Sequence, residues 1–186
     1  MKIAFRTHDL GAKGIDGVIS RARQYKIDAF QLVVYKFMDE VKQLPGSLTG
    51  EIAEGIGGAL KGAGISVPLI GAYFNPVHSD KQKVADCKAA FKDYLKYAKT
   101  LGANIVGSET GSFNDDKWTY NPLNRTEEAL QTVIQTFTEL ADCAAGYGVN
   151  IGMEGAAGHC CYCVKQLKRA VDGINRPNVR VIFDLY

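Results

Sequence analysis

The sequence lacks any long hydrophobic run. No stretch approaches the roughly 18 uncharged apolar residues of a membrane-spanning helix. The opening residues Met1–Arg6 bring in charge before the apolar core of a signal peptide could form. The five cysteines are an odd number, and in a chain without an export signal we interpret them as reduced thiols. These features predict no membrane partner and a cytoplasmic location.

An excess of charge of one sign is also missing. The 22 Lys and Arg side chains nearly balance the 20 Asp and Glu side chains, which leaves a net charge of +2, and the basic residues are scattered along the chain. This pattern gives no electrostatic basis for binding nucleic acid. With 46% hydrophobic and 23% charged residues, the composition is that of an ordinary globular domain.

Several enzyme signatures are absent. The sequence contains no G-x-S-x-G elbow and no Walker loop, which argues against a serine hydrolase and a nucleotide phosphotransferase. The turn after the first predicted strand, His8–Gly14, lacks the G-x-G-x-x-G spacing of a dinucleotide-binding fold.

The chain does contain a regular alternation of strand and helix patterns. Several of the strand patterns are near-continuous apolar runs, which are typical of parallel strands that are covered on both faces. The predicted strands are Lys2–Thr7, Ala29–Val34, Val67–Phe74, Asn104–Ser108, Asn150–Met153 and Val179–Phe183.

Helical patterns fill the intervals between these strands. The segment from Val84 to Leu101 and the segment from Leu130 to Ala144 each place apolar residues three and four positions apart. The second of these opens with Asn124-Arg125-Thr126-Glu127, which resembles a capping box with Asn as the cap. Three weaker amphipathic stripes begin at Ile15, Ile52 and Val164.

Repeated βα units together with polar residues at several strand ends favour the (β/α)₈ TIM-barrel type over an open sheet. Only about six units are present, whereas such a barrel usually needs about 250 residues. We therefore expect residues 1–186 to form a single barrel domain that lacks its C-terminal part.

Acidic and imidazole side chains follow these strands, and we expect them to meet at one mouth of the barrel. Oxygen-rich sites with some imidazole suit a divalent Mn, Mg, Co or Zn ion. The candidates, in chain order, are His8, Asn75, His78, Glu109, Glu154, His159 and Asp184, with Asp9, Gln31 and Tyr35 at further strand ends.

Glu154 is the strongest candidate because it ends an apolar strand that would not otherwise bury a charge. Asp184 follows the last strand in the same way, although it could instead cap a helix. For Glu109, a bond to a sugar hydroxyl and a bond to loop amides are equally supported. His78 could face the mouth or support a helix that begins at Ser79 or Asp80. His8 could bind a ligand, although a core or capping role is favoured.

A cluster of thiols follows His159, at Cys160, Cys161 and Cys163. A structural zinc site would need a second ligand pair at a distance, and none exists because Cys87 and Cys143 lie in helix stripes. We interpret these cysteines as core thiols, with His159 alone as a candidate for the site.

Taken together, the motifs resemble those of the sugar phosphate isomerase/epimerase proteins of the xylose isomerase-like TIM-barrel superfamily. The resemblance extends over essentially the whole chain, and each motif alone is short. The motifs are Tyr73–His78, Gly107–Gly111, Gly152–Gly155 with His159, and Phe183–Leu185.

The resemblance implies that Glu154 and Asp184 are two of four metal ligands, and that Glu154 also transfers a proton beside a sugar carbonyl. The other two family ligands, a His and a Glu, have no counterpart in this sequence. The implied function is a metal-dependent isomerase or epimerase of a sugar or sugar phosphate. Glu109, His78, His159, Asn75 and His8 would bind the substrate, and a homo-oligomer is left open.

Other members of the superfamily are apurinic endonucleases and inosose dehydratases. The endonuclease alternative would require more histidines than the three present and a basic surface. A non-catalytic carbohydrate-binding relative is a further alternative, and the two missing ligands favour it.

Overall fold

The computed structural model describes residues 3–183, and its central element is a six-stranded parallel sheet. Each strand pairs with the next one along the chain, in the order β1 to β6, as successive right-handed βα units produce. The strands are β1 (Phe5–Arg6), β2 (Ala29–Leu32), β3 (Ser66–Gly71), β4 (Ile105–Glu109), β5 (Asn150–Glu154) and β6 (Val179–Ile182).

Helices follow the strands and bury the apolar stripes that the sequence shows. For example, Phe91 and Leu95 of the helix Lys81–Tyr97 and Val133 and Leu140 of the helix Glu127–Tyr147 are all buried. The α/β fold of the barrel type, with six parallel strands, is therefore as predicted. The helices are α1 (Gly14–Tyr25), α2 (Val34–Phe37), α3 (Gly50–Gly62), α4 (Lys81–Tyr97), α5 (Glu127–Tyr147) and α6 (Val164–Ile174).

None of the helices between residues 3 and 183 is both long enough and apolar enough to cross a membrane.

Two small residues shape the inner face of the sheet. Gly107 of β4 and Gly152 of β5 are register partners, and a Cβ atom on either would lie within 3 Å of the Ile182 side chain. The space that these glycines leave is filled by Ile182 of β6. The glycines thus let a large aliphatic side chain pack across two neighbouring strands.

The first and third strands are shorter than predicted. The chain leaves β1 after Arg6 and enters a 3₁₀ turn, Thr7–Leu10, where the Thr7 hydroxyl accepts a hydrogen bond from the Val33 backbone at 3.1 Å. Lys2, the predicted start of this strand, lies outside the described residues. Strand β3 ends at Gly71 rather than Phe74, which places the following side chains in a loop above the sheet.

The predicted cap of α5 was wrong by two residues. Thr126 is the cap, and its hydroxyl accepts a hydrogen bond from the Ala129 backbone at 3.2 Å. Asn124 is instead almost completely buried, and its amide binds the Phe113 N–H and the Gly158 carbonyl. The amide is thus used to join two loops rather than to begin the helix.

All five cysteines are free. Cys160 and Cys161 are buried, and burial raises the pKa of each thiol to about 12. These two are core thiols as predicted. Cys163 is exposed at the start of α6, so the core prediction was wrong for that residue.

Candidate functional site

A cavity of about 430 Å³ lies at the carboxyl ends of the strands. Five of the predicted site residues contribute to its wall, so residues far apart in sequence are brought together. They are His8, Asn75, His78, Glu109 and Glu154.

Two carboxylates lie side by side in this wall. Glu109 is the last residue of β4, Glu154 is the last residue of β5, and the two are register partners. Neighbouring strands are separated by about 4.8 Å, and register partners project to the same face of a sheet. Glu154 is only 8% exposed, so most of its side chain is buried.

A tyrosine that sequence reasoning did not select contacts Glu154. The Tyr73 hydroxyl donates a hydrogen bond to Glu154 Oε2 at 3.2 Å, and it accepts one from the Gln31 side chain. Burial, reinforced by the Glu154 charge, raises the pKa of the Tyr73 phenol far above its usual value. The phenol therefore stays protonated and remains a donor.

A second phenol, that of Tyr35, also lines the cavity. Burial is the main reason why its pKa is raised, and the charge of Glu109 adds to the effect. Both phenols therefore stay protonated, Tyr35 on α2 and Tyr73 in the loop after β3.

The Asn75 amide is fully used within the protein. Its two N–H groups bind the carbonyls of Ser112 and Asp115 at 2.7 and 2.8 Å. Its oxygen accepts hydrogen bonds from the backbone N–H groups of Val77 and Ser112 at 3.1 and 3.2 Å. Asn75 therefore joins the loop after β3 to the loop after β4. The amide thus has a structural role, and the prediction that Asn75, which lines the cavity, binds substrate stays a prediction.

His78 combines the two roles that the sequence left open. It lies at the cavity wall, and its Nδ1 accepts a hydrogen bond from the Asp80 backbone at 3.0 Å. Its Nε2 faces Lys83 Nζ at 3.4 Å and Asp116 Oδ1 at 3.5 Å. Asp80 itself caps α4, so His78 is fixed at the start of this helix. Lys83 and Asp116, which the ring faces, are charged residues of the cavity wall.

His8 lies in the 3₁₀ turn after β1 and contributes to the cavity wall. Burial is the largest influence on its ring and lowers its pKa. Its Nε2 is 3.7 Å from Asp9 Oδ1, a distance too long for a hydrogen bond. A neutral imidazole therefore faces the cavity at neutral pH.

His159 is not part of the cavity wall. It is 3% exposed and packs against Trp118, with the ring centroids 5.2 Å apart. Trp118 is the residue that reaches the wall. His159 therefore lies behind the indole of Trp118, which is on the loop after β4. That His159 contacts substrate stays a prediction.

The burial of His159 predicts a dependence of stability on pH. Burial lowers the pKa of His159 to about 4, whereas the unfolded chain binds this proton near pH 6.5. Between these values the unfolded state binds more protons, so stability falls as the pH is lowered from about 6.5 to about 4. Over this pH range, we expect the free energy of unfolding to fall by up to about 3 kcal/mol more in the parent protein than in His159→Gln.

Urea unfolding followed by the fluorescence of Trp118, the single tryptophan of the chain, measures this difference directly. The neutral glutamine variant is the matched control, since every other titrating group is kept. Equal losses of stability in the two proteins would contradict the account of His159.

Asp184, the second predicted metal ligand, lies outside the described residues. Within residues 3–183, no group of three or more His, Cys, Asp or Glu side chains is close enough to hold a metal ion. The carboxylate of Glu154 has the hard oxygen donor that divalent cations prefer. The described residues thus provide a suitable ligand in Glu154 but not a complete set.

Comparison with known proteins gives one family match. Residues 19–186 match the model of the xylose isomerase-like TIM barrel. No curated protein sequence matches the chain.

Solved structures with the same fold include three informative examples. A xylose isomerase-like TIM barrel protein from Mycobacterium smegmatis, in complex with magnesium, has a TM-score of 0.73 and 15% identity. D-psicose 3-epimerase in the presence of D-fructose has a TM-score of 0.72 and 18% identity. The IOLI protein with a binding zinc atom has a TM-score of 0.70 and 19% identity.

The chain spans less than two thirds of the length of these structures. The matches cover 97–99% of this chain but 64%, 62% and 63% of the respective proteins. At this level of identity, the likeness concerns the fold alone.

Proposed function

Since the chain belongs to the xylose isomerase-like TIM barrel family, we propose that the protein is a metal-dependent isomerase or epimerase of a sugar or sugar phosphate. The observation that carries the proposal is the buried carboxylate of Glu154 at the end of β5, which faces the cavity and accepts a hydrogen bond from Tyr73. A carboxylate held in this way is suited to take a proton from a carbon atom and to return it.

The other residues of the cavity have supporting roles in this proposal. Glu109, His78 and His8 line the wall and would bind the sugar hydroxyls, while the exposed edge of Trp118 would cover an apolar face of the sugar ring. With its mixture of acidic and basic side chains, the cavity suits a small polar ligand rather than nucleic acid.

The proposed metal would be held by Glu154 together with Asp184. When bound, a divalent ion supplies Lewis-acid polarisation of the carbonyl and its neighbouring hydroxyl. In support, two of the structural neighbours are described with zinc and with magnesium. The oxygen donors of the two carboxylates and the position of Glu154 at the end of β5 support this assignment.

The proposal predicts deuterium exchange. When the full-length protein is incubated in D₂O with Mn²⁺ and a panel of pentuloses, hexuloses and their phosphates, one of them should gain deuterium at the carbon next to the carbonyl. Mass spectrometry and proton NMR measure the incorporation, and a chelator should stop it. A sugar that binds, as judged by a change in Trp118 fluorescence, but never gains deuterium would contradict the proposal.

A further inference from the structure

We propose that Tyr73 is a positioning residue that fixes the orientation of the Glu154 carboxylate through Oε2. This inference rests on the proposed function, because it concerns the group that would transfer the proton. The contact between the Tyr73 and Glu154 side chains can also be tested without measuring any activity. The contact that carries it is the 3.2 Å hydrogen bond from the Tyr73 hydroxyl to Glu154.

The ring of Tyr73 is held in place by its surroundings. A Cβ atom on Gly71 would lie 2.5 Å from the Tyr73 ring and 3.0 Å from the side chain of Val33. The ring therefore occupies the space that the missing side chain of Gly71 leaves at the end of β3. An alanine at position 71 would force the ring away from this place.

The backbone and the hydroxyl of Tyr73 are each fixed by a glutamine. The side chain of Gln43 donates a hydrogen bond to the Tyr73 carbonyl, and the side chain of Gln31 donates one to the hydroxyl. A phenol has one hydrogen to donate. Because Gln31 occupies the oxygen as a donor, that hydrogen is directed to Glu154.

The consequence concerns the geometry of proton transfer. Catalytic groups must be held close to the productive geometry by partners whose own conformations are fixed. Tyr73 comes from the loop after β3 and Glu154 from β5, so the hydrogen bond links two strand ends across the cavity. We infer that the chain from Gln31 through Tyr73 restricts rotation of the Glu154 carboxylate.

The test is Tyr73→Phe, which removes one oxygen atom and keeps the ring. We expect deuterium exchange at saturating sugar to fall about tenfold, the size of effect that losing a hydrogen bond to a charged group has on a rate. The sugar concentration for half-saturation, read from Trp118 fluorescence, should change less than twofold. Tyr94→Phe is the matched control, because Tyr94 is a buried tyrosine of α4 that lies outside the cavity wall.

A double-mutant cycle tests the role of Gln31. Gln31→Met should lower the exchange rate less than Tyr73→Phe, and the double variant should match Tyr73→Phe within twofold. This is the behaviour of two residues that act through one contact. If the two single substitutions lower the exchange rate by factors that multiply in the double variant, Gln31 acts independently of Tyr73. That result would overturn the proposed link from Gln31 through Tyr73 to Glu154.

A spectroscopic measurement separates this inference from the proposed function. In protein labelled with ¹³C at the glutamate carboxyl carbon, the Glu154 signal is assigned by its loss in Glu154→Gln. At pH 7, Tyr73→Phe should move this signal and Tyr94→Phe should not. An unmoved signal would overturn the inference even in an active enzyme, whereas a moved signal in a protein without exchange activity would sustain it while the proposed function fails.

Discussion

Replacement of Glu154 with glutamine is expected to lower metal-dependent deuterium exchange into the sugar by about 10²- to 10⁴-fold, the usual contribution of a positioned acid or base. Glutamine has nearly the same shape, and its side-chain oxygen can still accept the hydrogen bond that Tyr73 donates to Glu154. The loss would therefore come from the missing carboxylate rather than from a rearranged cavity. Exchange rates measured by mass spectrometry at saturating sugar provide the comparison.

Glu139→Gln is the control for this variant. Glu139 lies on α5, outside the cavity wall, and pairs with Lys88 and Lys92 at the surface. Such exposed ion pairs contribute about 0–1 kcal/mol to stability, so we expect its exchange rate to match that of the parent. If Glu154→Gln retains the exchange rate of the parent, Glu154 does not take part in the proton transfer.

Replacement of Asn75 with alanine is expected to destabilise the protein by about 2–4 kcal/mol, because several buried backbone groups lose their partners at once. The carbonyls of Ser112 and Asp115 and the N–H groups of Val77 and Ser112 all bind the Asn75 amide. Chemical unfolding with urea measures the change in the free energy of unfolding. Because the loop after β4 carries Trp118, its fluorescence in the folded state should change as well.

Asn150→Ala is the matched control for the loss of an amide. The Asn150 side chain donates a single hydrogen bond of 3.3 Å to the Asn104 carbonyl at an exposed position. We expect a loss of less than about 1 kcal/mol for this variant. Equal destabilisation by the two substitutions would contradict the structural role assigned to Asn75.

Local sequence patterns predicted the central strands well because β2, β4 and β5 are largely buried runs of mostly apolar residues. The positions of Glu109 and Glu154 follow from the same pattern, since a charge that ends such a run is expected at the carboxyl end of the strand. In both cases the carboxylate is the last residue of the strand itself rather than the first residue of the loop, a difference of one position.

The contacts within the site could not be predicted in the same way. Tyr73 meets Glu154 across 81 positions of sequence, and its ring is placed by the glycine at position 71. The sequence places Tyr73 within a recognisable motif but does not indicate which way its ring turns. Side-chain direction in a loop depends on packing against residues from other strands.

The histidines illustrate the same limit. His78 and His159 both follow strand ends, yet the structure places His78 at the cavity wall and His159 behind Trp118. The difference arises in the loop after β4, which folds over His159 and is held by Asn75 and Asn124. A loop closed by distant amide hydrogen bonds leaves no periodic signal in the sequence.

The most direct test of the site is titration of the full-length protein with Mn²⁺ by isothermal calorimetry, in the parent and in Glu154→Ala. The account predicts one site per chain in the parent and no measurable binding at that site in the variant, because the carboxylate of Glu154 is the proposed ligand. Glu154→Ala that binds Mn²⁺ as tightly as the parent would contradict the account.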